Sequence, residues 1–159
     1  MIYLHEPSIE LREKKNIDKC IKKNQISSIG SFIKKFENQI SRYTKSKFTI
    51  TCSSGTAALH VALKVIGVDK SCEVIVPTIT FIATVNAIKY NLADPIFVDN
   101  DNFYNIDENK TLEFLKKKTF QKHGKCINRK TSKQVKAIII THMYGNAAKF
   151  DKLYKILKK

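Results

Sequence analysis

The fold is decided by residues 48–98, which read FTITCSSGTAALHVALKVIGVDKSCEVIVPTITFIATVNAIKYNLADPIFV. Three short, apolar and β-branched runs predict strands, namely Phe48–Cys52, Glu73–Pro77 and Pro95–Val98. Between them, Thr56–Val65 and Thr80–Tyr90 have the length and apolar content of buried helices. Apolar strands that alternate with helices are typical of a mainly parallel sheet with helices on both faces, so we expect an α/β fold.

Upstream of this stretch the sequence predicts two amphipathic helices. Apolar residues recur at helical spacing over Glu10–Lys23 and again over residues 32–43, and a loop rich in Ser and Gly separates the two runs. We therefore expect an N-terminal helical segment over residues 1–46 and a larger α/β unit over residues 47–159.

Downstream, the chain returns to the sheet after an excursion. Asp107–Lys118 predicts a helix, and the polar, basic residues 119–134 predict an exposed hairpin or loop. Val135–Thr141 predicts a further strand, followed by the loop His142–Asn146 and a final amphipathic helix over residues 150–157.

The formal charge of +15 raises the question of a nucleic-acid partner. Only three of the 29 basic residues are Arg, and no aromatic residues interleave the Lys runs as base-stacking platforms would. Runs such as Lys116-Lys117-Lys118 and Lys158-Lys159 are typical of solvated faces and chain ends. A drift in composition toward Lys explains the charge better than nucleic-acid binding, which stays open as an alternative.

Composition also bounds the cellular setting. The chain has 43% hydrophobic and 27% charged residues, as ordinary globular proteins do. It shows neither an apolar run of transmembrane length nor a secretory signal pattern at its start, so we expect a cytoplasmic protein. The four cysteines, Cys20, Cys52, Cys72 and Cys126, form no Cys-x-x-Cys pair, so we expect free thiols and no metal site.

The turn Ser53–Ala58 is the most informative local feature. Ser and Gly at a predicted strand-to-helix junction let backbone N–H groups approach an anion at a helix N-terminus, which favours phosphate. The sequence is neither a Walker loop nor a dinucleotide fingerprint. Taken alone, the turn is better explained by Ser54 as an N-cap and Gly55 as a tight-turn residue than by phosphate binding.

Several segments in order resemble the DegT/StrS-type sugar aminotransferases, which use pyridoxal phosphate and have the fold-type I architecture. The matching segments are Leu4–Ser8, Ser27–Gly30, Ser54–Leu59, Glu73–Ile88, Pro95–Asp99 and His142–Asn146. Phe120–Lys125 and Asn128–Thr131 resemble an insert of the legionaminic acid and bacillosamine branch. The resemblance implies that residues 47–159 are the first part of the large, cofactor-binding domain.

The resemblance also implies site residues. Gly55, Thr56 and Ala57 match the segment that holds the cofactor phosphate, and Phe81 matches the aromatic residue that stacks on the pyridine ring. On the sequence alone, a core aromatic is the favoured interpretation of Phe81, and only the resemblance favours the stacking role. Thr80 and Thr84 are interpreted as capping and packing residues, and His142 and Tyr144 as ordinary loop residues. Ser27 and Ser28 are interpreted as an ordinary turn, with a border to the substrate in a dimer as the alternative.

The family residues that perform the chemistry find no match here. In the family, the Asp at the pyridinium nitrogen and the Schiff-base lysine lie beyond the segments matched, and none of the 26 lysines sits in the expected context. No catalytic residue is therefore nominated, and we expect the chain to correspond to an N-terminal portion that is inactive by itself.

For the complete enzyme the resemblance implies amino transfer, with glutamate as the expected donor, to a nucleotide-linked 4-keto-6-deoxy sugar for cell-surface polysaccharide, and a homodimer. A non-catalytic fragment that pairs with a full-length homologue is the alternative hypothesis.

Overall fold

The computed structural model describes residues 6–28 and 30–157. Leu4, His5, Ile29, Lys158 and Lys159, which carried parts of the interpretation above, lie outside the described residues. The elements in chain order are α1 (Leu11–Lys22), α2 (Ser31–Thr44), α3 (Gly55–Val65), β1 (Cys72–Pro77), α4 (Ile82–Tyr90), β2 (Asp94–Val98), α5 (Glu108–Lys118), β3 (Thr119–Lys122), β4 (Lys125–Asn128), β5 (Gln134–Ile138), a 3₁₀ turn (Met143–Gly145) and α6 (Asp151–Leu157).

The chain forms two compact units, Met1–Thr51 and Cys52–Lys159. The division falls five residues after the predicted boundary at residue 46, and the assignment of the two parts as domains stays a prediction. The first unit holds the two predicted amphipathic helices. Within it, the Glu37 carboxylate accepts hydrogen bonds from the backbone N–H and the hydroxyl of Thr51, both at 2.9 Å. These bonds, the backbone one first, hold the pKa of Glu37 below its usual value.

The second unit is built on a five-stranded sheet with the order β2-β1-β5-β4-β3. Strand β1 pairs in parallel with β2 on one side and β5 on the other, whereas β3 and β4 form an antiparallel hairpin at one edge. The predicted α/β fold with a mainly parallel sheet at its centre is confirmed. The hairpin occupies the part of the chain, residues 119–134, in which an excursion was predicted.

Strand β1 divides the core into two layers because successive side chains of a strand point to opposite faces. Val74 and Val76 pack with Leu63 and Ile88 in the layer of α3 and α4. On the other face, Ile75 packs with Val98 and Ile106, with α5 residues beside them. The prediction of helices on both faces is confirmed, and every residue of β1 is buried.

The predicted strand over Phe48–Cys52 is wrong. These residues belong to no helix or strand, and Phe48, Ile50 and Cys52 are exposed. An apolar, β-branched run forms a strand only when a neighbour supplies hydrogen bonds, and no strand pairs with this run among residues 6–28 and 30–157. The strand predicted over Val135–Thr141 is shorter than expected, because the β5 ladder ends at Ile138.

A buried hydrogen bond ties the hairpin to the central strand. The Asn128 amide at the end of β4 donates to the Glu73 carboxylate on β1 at 2.8 Å, and both side chains are buried. A buried carboxylate is costly without a donor. This bond therefore stabilises the hairpin in its position at the edge of the parallel strands.

Replacing Asn128 by Ala is expected to lower the free energy of unfolding by about 1–3 kcal/mol, because the buried Glu73 carboxylate loses its amide donor. Urea denaturation at pH 7 measures the change. Asn102→Ala, at an exposed position, is the control and is expected to have little effect. Equal losses in the two variants would show that the Asn128 bond contributes nothing specific.

Across the residues that the structure describes, no helix combines the length and the apolar character that crossing a membrane requires.

Candidate active site

The N-terminus of α3 presents backbone donors to solvent. Ser54 caps the helix, because its hydroxyl oxygen accepts from the Ala57 N–H at 3.1 Å. The N–H groups of Gly55 and Thr56 donate to no acceptor in the described part of the chain. Two free donors at the positive end of the helix dipole favour an anion. The predicted opening of this helix at Gly55 and Thr56 is confirmed.

The space beside Gly55 is open. A Cβ built on this glycine meets no heavy atom within 4 Å, and its backbone is not in the left-handed region. The turn itself therefore does not require glycine. The absence of a side chain instead leaves the helix N-terminus accessible to a bulky group such as a phosphate.

Phe81 is the residue immediately before α4, and 75% of it is exposed. The alternative that Phe81 is a core aromatic is therefore wrong. Behind it, the Thr80 hydroxyl donates to the Thr84 hydroxyl oxygen at 3.0 Å, and Thr84 is buried. These contacts agree with the interpretation of both threonines as capping and packing residues.

Chain connectivity directs the two helix N-termini to one edge of the sheet. Helix α3 precedes the amino end of β1, and α4 follows its carboxyl end. The two helices pack in one core layer, with Leu59 and Leu63 of α3 near Val85 and Ile88 of α4. Sites in α/β proteins gather at the carboxyl edge of the strands. That Gly55–Ala57 and Phe81 hold one cofactor stays a prediction.

The residues that join the loops of this edge were missed by the sequence analysis. Asn100, which follows β2, accepts at Oδ1 from the Thr78 hydroxyl at 2.7 Å and from the Ile79 N–H at 2.9 Å. Asn105, in the same loop, accepts from the Met143 N–H of the loop after β5 at 3.0 Å. The density of Asp and Asn over residues 99–107 was the available signal.

The loop after β5 holds His142 and Tyr144. The His142 Nδ1 accepts from the Ala148 N–H at 3.0 Å, which agrees with its interpretation as a loop residue with a structural partner. Tyr144 is exposed.

Ser27 and Ser28 are exposed in the first unit, and the alternative that they lie beside the substrate in a dimer stays a prediction. All four cysteines are free thiols, and within residues 6–28 and 30–157 no cluster of three or more His, Cys, Asp or Glu could hold a metal ion.

Comparison with known proteins decides the family. The sequence profile of the DegT/DnrJ/EryC1/StrS aminotransferase family matches residues 7–159. The chain belongs to this aminotransferase family. It is 38% identical to the GDP-perosamine synthase of Escherichia coli O157:H7 and 33% identical to that of Vibrio cholerae, over 99% and 96% of its length. It spans 39% and 38% of those two relatives. The legionaminic acid and bacillosamine branch stays a prediction.

Solved aminotransferase structures share the fold. The aminotransferase of Psychrobacter cryohalolentis superposes with a TM-score of 0.79 at 25% identity, covering 96% of this chain and 35% of its own. A family member from Brucella abortus gives a TM-score of 0.74 at 25% identity, covering 97% and 41%. Pyridoxal phosphate, the cofactor that the resemblance implies, is confirmed as the cofactor of this family. One structural neighbour of the chain is a sugar aminotransferase solved in its pyridoxal phosphate form.

The described residues fit the cofactor of a DegT/DnrJ/EryC1/StrS protein. Two unpaired N–H groups at a helix N-terminus suit a phosphate, and the open space beside Gly55 admits it. An exposed ring at Phe81 suits contact with a flat heteroaromatic.

Proposed function

We propose that this chain provides the N-terminal part of the cofactor site of a pyridoxal-phosphate-dependent aminotransferase that acts on a nucleotide-linked 4-keto-6-deoxy sugar. The observation that carries the proposal is the open N-terminus of α3, with free N–H groups at Gly55 and Thr56, in a chain that belongs to a sugar aminotransferase family. The product class would be amino sugars for cell-surface polysaccharide.

In this proposal Gly55, Thr56 and Ala57 hold the cofactor phosphate. The N–H groups of Gly55 and Thr56 donate to it, and the α3 dipole adds favourable electrostatics. Ser54 keeps the Ala57 N–H oriented at the helix start by accepting its hydrogen bond. The four residues thus bind and orient the phosphate without moving a proton.

Phe81 holds the pyridine ring by stacking on it. Its exposed side chain stands at the start of α4, and the Thr80–Thr84 hydrogen bond stabilises the backbone that presents it. When bound, pyridoxal phosphate supplies the electron sink that amino transfer requires. The role of Phe81 is to fix the plane of that ring and to exclude water from one of its faces.

The names of relatives support a nucleotide-linked amino sugar as the product class. Beside the GDP-perosamine synthases, the chain is 29% identical to the dTDP-3-amino-3,6-dideoxy-alpha-D-galactopyranose transaminase of Aneurinibacillus thermoaerophilus, over 99% of its length and 40% of that relative. Both names describe amino sugars on nucleotides. Glutamate as amino donor, a homodimeric complete enzyme and a cytoplasmic location belong to the proposal as the expectations that the resemblance supplies.

Binding of pyridoxamine 5′-phosphate to the 159-residue chain tests the proposal. This compound has no aldehyde, so it cannot react with the 26 lysines. We expect its ³¹P resonance to broaden and shift on addition of the chain. When both compounds are followed by their ring ¹H resonances, we expect pyridoxamine without phosphate to bind far more weakly. If both compounds behave alike, the phosphate role of the α3 N-terminus is wrong.

Reductive trapping tests the expectation that the chain is inactive by itself. After incubation with pyridoxal phosphate and borohydride, peptide mapping should find label spread over several lysines, with no amino transfer to a keto-sugar nucleotide. The reason is that no lysine of the chain matches the family's attachment site. One lysine labelled stoichiometrically, together with amino transfer, would contradict this expectation.

A further inference from the structure

Two exposed tyrosines meet at the carboxyl edge of the sheet. Tyr104, in the loop after β2, and Tyr144, in the loop after β5, have ring centroids 6.3 Å apart at an interplanar angle of 88°. This is the edge-to-face arrangement that aromatic pairs prefer. The rings are nevertheless open to solvent, with Tyr104 53% and Tyr144 81% exposed.

Both tyrosines have left-handed backbone conformations, with φ of 63° at Tyr104 and 53° at Tyr144. Such a conformation is costly for a bulky side chain. The other non-glycine residues with positive φ among those described are not Tyr, Phe or Trp. Side chains this exposed offset little of the backbone cost by burial within the part of the chain that the structure describes.

Buried and paired asparagines hold the two loops together. Asn105 is buried, and its Oδ1 accepts from the N–H of Met143, the neighbour of Tyr144. Asn100 donates to the Tyr104 carbonyl oxygen at 2.6 Å and accepts from the Ile79 N–H. Ile79 lies two residues before Phe81. The tyrosine pair is thus connected through hydrogen bonds to the segment that presents the proposed cofactor residue.

We propose that the Tyr104–Tyr144 pair is a specificity-determining surface that packs against a ring of the nucleotide-sugar substrate. This inference rests on the proposed function and adds two substrate-binding residues to it. Exposed aromatic faces bind flat nucleobases and the C–H faces of hexoses. The pair lies on loops at the carboxyl edge, where ligands of parallel sheets bind, so a substrate ring bound at this edge can contact it.

Saturation-transfer NMR on the 159-residue chain tests the pair, with GDP and GDP-mannose as probes. Tyr104→Ala and Tyr144→Ala are expected to weaken binding about 5-fold or more. Tyr90→Ala is the matched control, because Tyr90 is also exposed and contacts a ring, that of His60, at the other end of α4; it should bind as the unchanged chain does. If the alanine variants weaken binding of GDP, the pair is assigned to the base. If they weaken binding of GDP-mannose but not of GDP, the pair is assigned to the hexose.

Thermal unfolding separates a substrate role from a packing role. Tyr144→Gly removes the ring and relieves the left-handed backbone, so its Tm should equal or exceed that of the unchanged chain while probe binding is lost. A lower Tm, or unchanged probe binding in the alanine variants, would overturn the proposal. Failure of both probes to bind the unchanged chain, while pyridoxamine 5′-phosphate still binds, would overturn it without affecting the proposed function.

Discussion

Replacing Gly55 by Asp is expected to weaken binding of pyridoxamine 5′-phosphate about 100-fold or more, while the protein stays folded. The new carboxylate would stand where the phosphate approaches, so charge repulsion and blocked access to the N–H donors act together. The fold should tolerate the change, because a Cβ at Gly55 meets no atom within 4 Å and an acidic residue suits the first turn of a helix. Titration followed by ³¹P NMR measures the affinity.

Asn109→Asp is the matched control for Gly55→Asp. It adds the same charge to the first turn of another helix, α5, at an exposed position. We expect it to leave affinity unchanged and to match Gly55→Asp in far-ultraviolet circular dichroism. If Gly55→Asp bound as tightly as Asn109→Asp, the phosphate would not lie at α3.

Replacing Ile75 by Ala is expected to give the largest loss of stability, about 3–4 kcal/mol in the free energy of unfolding. Ile75 is 0% exposed at the centre of β1, with Ile96 of β2 and Ile138 of β5 at its register positions. Removing its side chain leaves a cavity between the sheet and the α5 layer, which rigid neighbours fill only in part. Urea denaturation followed by circular dichroism measures the loss.

Ile50→Ala provides the comparison at the same residue type. Ile50 is 83% exposed in the run that was predicted as a strand. Its truncation should change the free energy of unfolding by about 0.5 kcal/mol or less. A similar loss in both variants would mean that Ile50 is buried in solution, and the assignment of β1 as the centre of the core would then lose its support.

Periodicity made most of the fold predictable. Apolar runs with β-branched residues located β1 and β2, and helical spacing located α1 and α2 within a few residues. The run Phe48–Cys52 carries the same local signal as β1 yet forms no strand, because a strand depends on a neighbour that no local pattern reveals.

The candidate site also has features that local residue types predicted and features that depend on tertiary contacts. The residue types Ser54 and Gly55 alone predicted a helix start, and α3 begins at Gly55. Asn100 and Asn105 act through hydrogen bonds to Ile79 and Met143, which lie 21 and 38 residues away, so their roles depend on the packed strands. The exposure of Phe81 likewise depends on tertiary structure, because an aromatic residue beside an apolar helix suits a core equally well.

The most direct test of the account is an amide and aromatic NMR titration of the 159-residue chain with pyridoxamine 5′-phosphate. The account predicts that the N–H resonances of Gly55, Thr56 and Ala57 and the ring resonances of Phe81 shift together, with one dissociation constant, because one ligand contacts both elements. Shifts confined to the α3 N-terminus, or spread over the lysine-rich surface with Phe81 unchanged, would contradict a single cofactor site.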